Sequence, residues 1–373
     1  MSKQLTTLSA VFLYFVLYAP QPLLPVFAKA YNTSISQAGA LMTATLIPLA
    51  LAPLFYGYLL SALSPSKLLK YSMFCMGLSC LAFAHSDTYQ LSFAVRFLQG
   101  LLLPAALTAI TTYIGTHSSL NELQKNMSLF VTGTIVGGLF GRVLAGLFAS
   151  VWTWQAFYYG LASVLFAIAY IIPKENDETK TQYVQLKLSA IVRAFTTPGV
   201  ATVYVSVFCL FFSFVALLNY LPFILTALLD NPDELMLGLM YCGFVMGAVA
   251  SLNAHRLVVK FGSTKRVMLL AYAAFLLATG LAFIPQLAVI FIVLFLFCGA
   301  MFLVHSVAVA EVNKRSSDNK GILNALYVTF YYSGGVLGSY LPGILYQNYG
   351  NMALLASLLV VSGLGFLVLW RLP

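Results

Sequence analysis

Apolar residues form twelve runs, each long enough to cross a bilayer as a helix. The runs are residues 5–28, 37–62, 67–84, 88–114, 127–150, 153–172, 199–228, 235–254, 267–285, 287–310, 321–345 and 351–371. A transmembrane helix needs about 20 apolar residues. Of the 373 residues, 61% are hydrophobic and 8% are charged, whereas soluble domains carry about 25% charged residues. We therefore predict an all-α integral membrane protein with twelve transmembrane helices.

The basic residues lie mainly in alternate loops. If the N-terminus is placed in the cytoplasm, 16 of the 19 lysines and arginines fall in cytoplasmic segments. Of the other three, Lys29 is in an outer loop, while Arg96 and Arg142 lie inside apolar runs. The positive-inside rule then predicts that both termini are cytoplasmic, as an even number of spans requires. We expect a multi-pass membrane protein.

A polar segment divides the chain in the middle. Residues 173–198 form the longest polar interruption and include a predicted surface helix, leaving six spans in residues 1–172 and six in residues 199–373. Three glycines of the first half recur 197 residues later in the second. They are Gly137, Gly138 and Gly141, followed by Gly334, Gly335 and Gly338. The repetition predicts two pseudo-symmetric six-helix bundles, an arrangement typical of transporters.

Two arginines, Arg96 and Arg142, lie inside predicted spans, where apolar side chains are expected. A charged residue at the centre of a bilayer costs about 2.5–3.5 kcal/mol on insertion scales, so it usually marks a functional site. Arg96 either organises backbone carbonyl groups or binds an anion, since its planar fork matches a carboxylate or phosphate. Arg142, on a glycine-rich span, is either structural or functional. Because no acidic residue lies within the spans to neutralise them, we expect an anionic or neutral substrate.

Acidic residues are confined to loops and helix ends. Proton coupling usually needs a titratable group, and His305 is the one histidine placed inside a predicted span. Histidine titrates near physiological pH, so His305 is our candidate proton carrier. The alternative is a histidine that only forms a hydrogen bond between helices.

The sequence offers no sign of enzymatic or cofactor chemistry. The five cysteines have no metal-ligand or disulfide spacing, and no nucleotide-binding loop is present. The scattered bases do not form a nucleic-acid patch. We therefore expect no cofactor, no metal, no nucleic acid and no enzyme.

Several motifs resemble the major facilitator superfamily, and within it the drug/proton antiporter-like transporters. The loop Gly57-Tyr-Leu-Leu-Ser61-Ala-Leu-Ser64-Pro65-Ser-Lys67 resembles the family signature between spans two and three, with Ser61 at its acidic position. Its counterpart between spans eight and nine keeps Gly262. The pattern R-x-x-Q-G is intact at Arg96, Gln99 and Gly100. Other runs, including Tyr18 to Pro25 and Ser213 to Tyr220, are similar to YnfM-type inner-membrane transport proteins.

The resemblance implies a central cavity lined by spans one, four, seven and ten. The substrate-binding candidates are Gln21, Arg96, Gln99, Asn219, Tyr220, Tyr331 and Tyr332. The candidates for helix packing and gating are Gly133, Gly137, Gly138, Gly141, Arg142, Gly334, Gly335 and Gly338. The loop motif contributes Gly57, Ser61, Lys67 and Gly262.

The resemblance implies secondary transport of a small organic solute, neutral or anionic, by alternating access. It further implies proton-coupled efflux by a monomer in the lipid bilayer of the bacterial inner membrane. Two alternatives stay open. One is an anion uniporter, exchanger or importer without proton movement, which the missing acidic residues favour. The other is a transport-inactive membrane sensor or assembly factor, which is suggested by loop motifs that depart from the family signature.

Overall fold

The computed structural model describes residues 2–56, 63–173, 188–229, 232–315 and 320–373, which are helical with short connections. The helices are Lys3–Tyr18, Leu24–Ala30, Ile35–Phe55, Pro65–Ala84, Tyr89–His117, Leu120–Val151, Trp154–Ile171, Leu188–Thr196, Val200–Leu228, Glu234–Leu239, Phe244–Phe261, Thr264–Leu281, Leu287–Lys314 and Lys320–Trp370. Short 3-10 helices occupy Gln21–Leu23 and Met240–Gly243.

These helices supply twelve spans in the described part of the chain. Eleven helical segments are apolar and long enough to cross a membrane. The last of them is two helices in one, because Gly350 has φ 79° and ψ −174°, a conformation that interrupts the helix. Glycine adopts a positive φ without steric cost. The twelve-helix prediction is confirmed, and the spans are numbered one to twelve in chain order.

Both chain ends lie at one face of the bundle, here called the terminal face. It carries the ion pair Lys3–Glu122, and there Arg315 Nη2 donates to the Pro373 carbonyl over 3.2 Å. The opposite, or far, face carries the loops around Asn32 and Asp87.

Span one is not the continuous helix that the sequence predicts. It consists of Lys3–Tyr18, the 3-10 turn Gln21–Leu23 and Leu24–Ala30. The break falls at Pro20, because proline has no N–H to donate and clashes with the preceding turn. The carbonyl of Val16, which the N–H of residue 20 would otherwise reach, is left without its helical partner.

Parts of the predicted loops lie outside the described residues. These parts are Gly57 and Ser61 of the first loop motif and residues 174–187 of the linker. The described part of the linker includes the helix Leu188–Thr196. Lys67 lies in the first turn of span three. Gly262 ends span eight with φ 72°, in the left-handed conformation common at helix C-termini.

The repeated glycines bring helix backbones together in both halves. In span five, Gly137 and Gly141 pack on span one, where an added methyl group would lie 2.9 Å from the Val11 Cα and 2.8 Å from the Phe15 Cα. In span eleven, Gly334 packs on span seven in the same way. Small residues permit such close helix contact in membranes, and the equivalence explains the sequence repeat between the halves.

We expect Gly334→Ala to lower the melting temperature, because its methyl group would lie 2.9 Å from the Phe208 carbonyl carbon. Overpacking of this kind typically costs about 1–3 kcal/mol. Gly280→Ala is the matched control, since nothing lies within 4 Å of an added methyl group there. Thermal unfolding of the purified variants measures both. Equal melting temperatures would contradict the close contact.

Candidate functional site

Arg96 is fully buried and bonded to two neighbouring spans. Its Nη1 donates to the Val16 carbonyl over 2.8 Å and to Gln99 Oε1 over 2.7 Å. Its Nη2 donates to the Leu17 carbonyl over 3.0 Å, and its Nε to the Leu41 carbonyl over 3.4 Å. These acceptors lie on spans one, two and four. In this conformation the guanidinium therefore organises backbone carbonyls, the first of the two roles open to it.

The Arg96 contacts lie at the break in span one. Val16 O is the carbonyl that Pro20 leaves without a helical donor, and Arg96 supplies that donor. A buried acceptor without a partner costs about 1–3 kcal/mol, so the arginine stabilises the broken helix. Thr45 Oγ1 donates to the Arg96 carbonyl over 3.2 Å, which adds a second link between spans two and four.

A cavity of about 480 Å³ lies between the two halves, within the size range of small-molecule sites. The first half contributes spans one and five, and the second half spans seven, eight, ten and eleven. It extends toward the terminal face as far as Val309, near the Lys314 end of span ten. The wall consists of Tyr14, Tyr18, Phe130, Val131, Thr134, Ile135, Gly138, Phe211, Phe214, Phe244, Ser251, Phe302, His305, Ser306, Val309, Val328, Tyr331 and Tyr332.

The structure brings some of the predicted binding residues to this wall and not others. His305, Tyr331 and Tyr332 line it. Arg96 and Gln99 do not, because they are bonded to each other inside the first bundle, and span four supplies no wall residue. The expected wall positions of these two residues are therefore not found in this conformation.

Tyr220 also lies away from the cavity. Its side chain is fully buried, and its hydroxyl donates to the Ser339 carbonyl over 2.6 Å. The hydroxyl is enclosed by Gly39 of span two and Gly343 of span eleven, which belong to different halves. Tyr220 thus helps to hold the halves together near the far face.

Other contacts seal the far side between the halves. Gln21 Nε2 donates to Asn219 Oδ1 over 2.5 Å, and Ser36 Oγ donates to Gln347 Oε1 over 3.2 Å. Gly146 packs against the backbone of Glu234. These three contacts join spans one and seven, two and eleven, and five and eight. The cavity is therefore closed toward the far face.

Arg142 lies at the closed end of the cavity. It is 1% exposed, and its Nε donates to Gln21 Oε1 over 2.7 Å. Its guanidinium carbon is 4.1 Å from the ring centre of Tyr18 and 4.3 Å from that of Phe244. Because those two rings belong to different halves and both line the cavity, they separate the cation from the cavity by one aromatic layer.

His305 faces the cavity from span ten. Its Nδ1 lies 2.9 Å from the Tyr327 hydroxyl, and its ring centre lies 4.6 Å from that of Tyr331. The ion pairs described for this protein, Lys3–Glu122 and Arg315–Glu311, are both at the terminal face. Within the described residues, the imidazole is thus held by tyrosines and not by a carboxylate.

Tyr331 and Tyr332 were predicted from the sequence, but the other aromatic residues that dominate the wall were not. Tyr14 and Tyr18 are four residues apart on span one and so share a helix face, a signal that was available. Phe244 and Phe302 stand in uniformly apolar runs, where periodicity does not single out any face. Their roles come from the packing of the two halves.

A twelve-helix bundle with a cavity between its halves defines a class of membrane transporters. A sequence model of the Major Facilitator Superfamily matches residues 6–339 and 231–373. The chain belongs to the Major Facilitator Superfamily, as the motif resemblance predicted, and such proteins are transporters and not enzymes.

Two relatives and one solved structure show how far the similarity extends. The inner membrane transport protein YnfM of Escherichia coli (strain K12) is 24% identical over 345 residues, covering 90% of this chain and 81% of YnfM. The multidrug efflux protein YfmO of Bacillus subtilis (strain 168) is 25% identical over 341 residues, covering 88% and 82%. A bacterial homologue of the human lysosomal transporter Spinster, solved in an inward-facing and occupied conformation, shares the fold with a TM-score of 0.83 at 11% identity, covering 100% of this chain and 96% of that one.

We expect Arg96→Gln to lower the melting temperature strongly, because it leaves buried carbonyls without donors at about 1–3 kcal/mol for each. Arg256→Gln is the control, since that arginine is exposed on span eight. Thermal unfolding of both purified variants tests this. An unchanged melting temperature with weakened ligand binding would instead assign Arg96 to the substrate site.

Proposed function

We propose that this chain is a secondary active transporter that exports a small organic solute, neutral or anionic, across the inner membrane by alternating access. The observation that carries the proposal is the cavity of about 480 Å³ between the two halves. It extends toward the terminal face and is closed toward the far face. The bundles of residues 1–172 and 199–373, joined by the linker 173–198, would rock about this cavity in a monomer.

The wall chemistry supports a substrate with a flat or apolar body. Of the wall residues, Phe211, Phe214 and Phe302 offer ring faces and edges, while Tyr331 and Tyr332 add hydroxyl groups. Aromatic pockets bind rings through offset and edge contacts. A cationic substrate would lack a carboxylate partner in the described wall and would meet the positive charge of Arg142.

The direction of transport is proposed from two further facts. The basic residues favour a cytoplasmic terminal face, so the cavity of this conformation would face the cytoplasm, as in the similar Spinster homologue. Efflux is supported by the likeness to the antiporter-like group and to YfmO, a multidrug efflux protein.

Proton coupling is proposed through His305. It is the histidine on the cavity wall, and histidine exchanges protons near neutral pH. The absence of a carboxylate from the described wall favours the second candidate, an anion uniporter or exchanger without proton movement.

A reversible cross-link tests alternating access. Ser36→Cys with Gln347→Cys, in a chain without its five native cysteines, would join the halves at the point where Ser36 Oγ lies 3.2 Å from Gln347 Oε1. We expect oxidation to stop flux in proteoliposomes and reduction to restore it. The single-cysteine variants are controls. Full flux through the oxidised protein would contradict the mechanism, and no flux in any state would favour the sensor or assembly-factor alternative.

We expect His305→Gln to abolish substrate-driven pH change inside proteoliposomes while downhill substrate flux continues. The assay uses a substrate found by ligand-induced thermal stabilisation and a trapped pH-sensitive dye. Ser306→Ala, also on the wall, is the control. If wild-type protein moves substrate without protons, the uniporter or exchanger is correct. If His305→Gln still moves protons, another group carries them.

A further inference from the structure

Arg142 is a buried cation whose charge is not met by an anion. Within the described residues its bonded oxygens are the amide Oε1 of Gln21 and the carbonyl of Gly138. Around it lie the rings of Tyr18, Phe244 and Tyr241, the last with its centre 4.9 Å from the guanidinium carbon. Aromatic faces attract a cation but do not neutralise it.

The comparison with Arg96 sets Arg142 apart. Arg96 has three backbone carbonyls and one amide oxygen, all inside the first bundle. Arg142 has fewer oxygens and instead contacts rings from both halves. A guanidinium has five donors arranged to fit a carboxylate, so Arg142 keeps donor capacity that an anionic ligand would use.

Asn219 supplies a second donor without a partner. Its side chain is fully buried, its Oδ1 accepts from Gln21, and its Nδ2 has no hydrogen-bond partner. An unsatisfied buried donor is destabilising, so the position favours a ligand that brings an acceptor. Gln21 connects this amide to Arg142.

Gly138 is a cavity-lining residue next to Arg142. This glycine lines the cavity, and a methyl group added to it would lie 3.4 Å from Arg142 Nη1 and 3.6 Å from the Tyr18 ring. Because Gly138 has no side chain, Arg142 Nη1 lies directly behind the cavity wall at this position, beside the Tyr18 ring.

We infer that Arg142 and Asn219 form a receptor for the anionic group of the substrate, and that its occupation opens the far-side seal. The inference rests on the proposed transport function and specifies its substrate as an organic anion with an aromatic or other flat apolar body. The anion accepts from Arg142 in place of Gln21. Gln21 then leaves Asn219, which breaks the side-chain link between spans one and seven. Binding energy thereby favours the conformation in which the halves part at the far face.

The test compares benzoate with benzamide, which have the same shape and differ in charge, at equal ionic strength. The readouts are the melting temperature of the purified protein and the rate of cross-linking between Ser36→Cys and Gln347→Cys. We expect benzoate, and not benzamide, to raise the melting temperature and to slow cross-linking.

Gln21→Glu is the discriminating variant, because it places a carboxylate 2.7 Å from Arg142 Nε. We expect it to raise the melting temperature without ligand. We also expect the benzoate concentration that gives a half-maximal effect to rise by about tenfold or more, since a hydrogen bond to a charged group is worth about 1.5–3 kcal/mol. Gln37→Glu, at the start of span two and away from the cavity, is the matched control. Arg142→Gln should lose the benzoate effect as well.

The anion receptor is overturned if benzoate has no effect, if benzamide acts equally, or if Gln21→Glu keeps the full benzoate response. Flux that stops on oxidation of the cross-link would leave the transport proposal standing in each of those cases. Conversely, a charge-specific benzoate response in a protein without flux would support the receptor and contradict transport.

Discussion

A broken helix in a medium without water is the constraint on which the rest of the structure depends. Lipid offers no hydrogen bonds, so each backbone group in a span must find a partner within the protein. Pro20 leaves the Val16 carbonyl without its helical hydrogen bond. The guanidinium of Arg96 donates a hydrogen bond to that carbonyl and also to the carbonyls of Leu17 and Leu41. The cost of burying one cation is offset by carbonyl contacts that tie spans one, two and four into one bundle. That bundle then presents Tyr14, Tyr18 and Gly138 to the cavity.

The two buried arginines differ in their surroundings and in their roles. Arg96 is enclosed by oxygens of its own half and fixes that half internally. Arg142 is enclosed by rings and amides that belong to both halves, so its surroundings change whenever the halves move. A contact that exists in one conformation only is what a transporter needs to couple ligand binding to gating. Close helix contacts at glycines, such as Gly141 with Phe15 and Gly334 with Phe208, keep each half rigid while the interface between the halves changes.

The lengths of the apolar runs and the glycine repeat predicted the span count and the two-bundle fold, because a bilayer imposes a fixed hydrophobic length and the two halves pack alike. The resemblance of intact motifs such as Arg96-x-x-Gln99-Gly100 indicated the superfamily. The apolar runs also identified both arginines as buried. They could not tell which arginine would lie beside the cavity, since that depends on which helix faces meet across the halves. Tyr220 shows the same limit: it is a polar side chain within an apolar span, as a wall residue would be, yet it is enclosed between Gly39 and Gly343. The break at Pro20 was not predicted, although the proline is a sequence signal for it, and its partner 76 positions later at Arg96 has no such signal.

The central claim is that the two halves exchange closure at one face for closure at the other. Spin labels on two cysteine pairs, each pair in its own reconstituted variant without the native cysteines, test this directly. Asp87→Cys with Tyr349→Cys reports the far face, and Lys125→Cys with Arg256→Cys reports the terminal face; all four positions are exposed. The account predicts that the far-face distance lengthens as the terminal-face distance shortens when substrate is added. Distances that stay fixed, or that lengthen together, would contradict it.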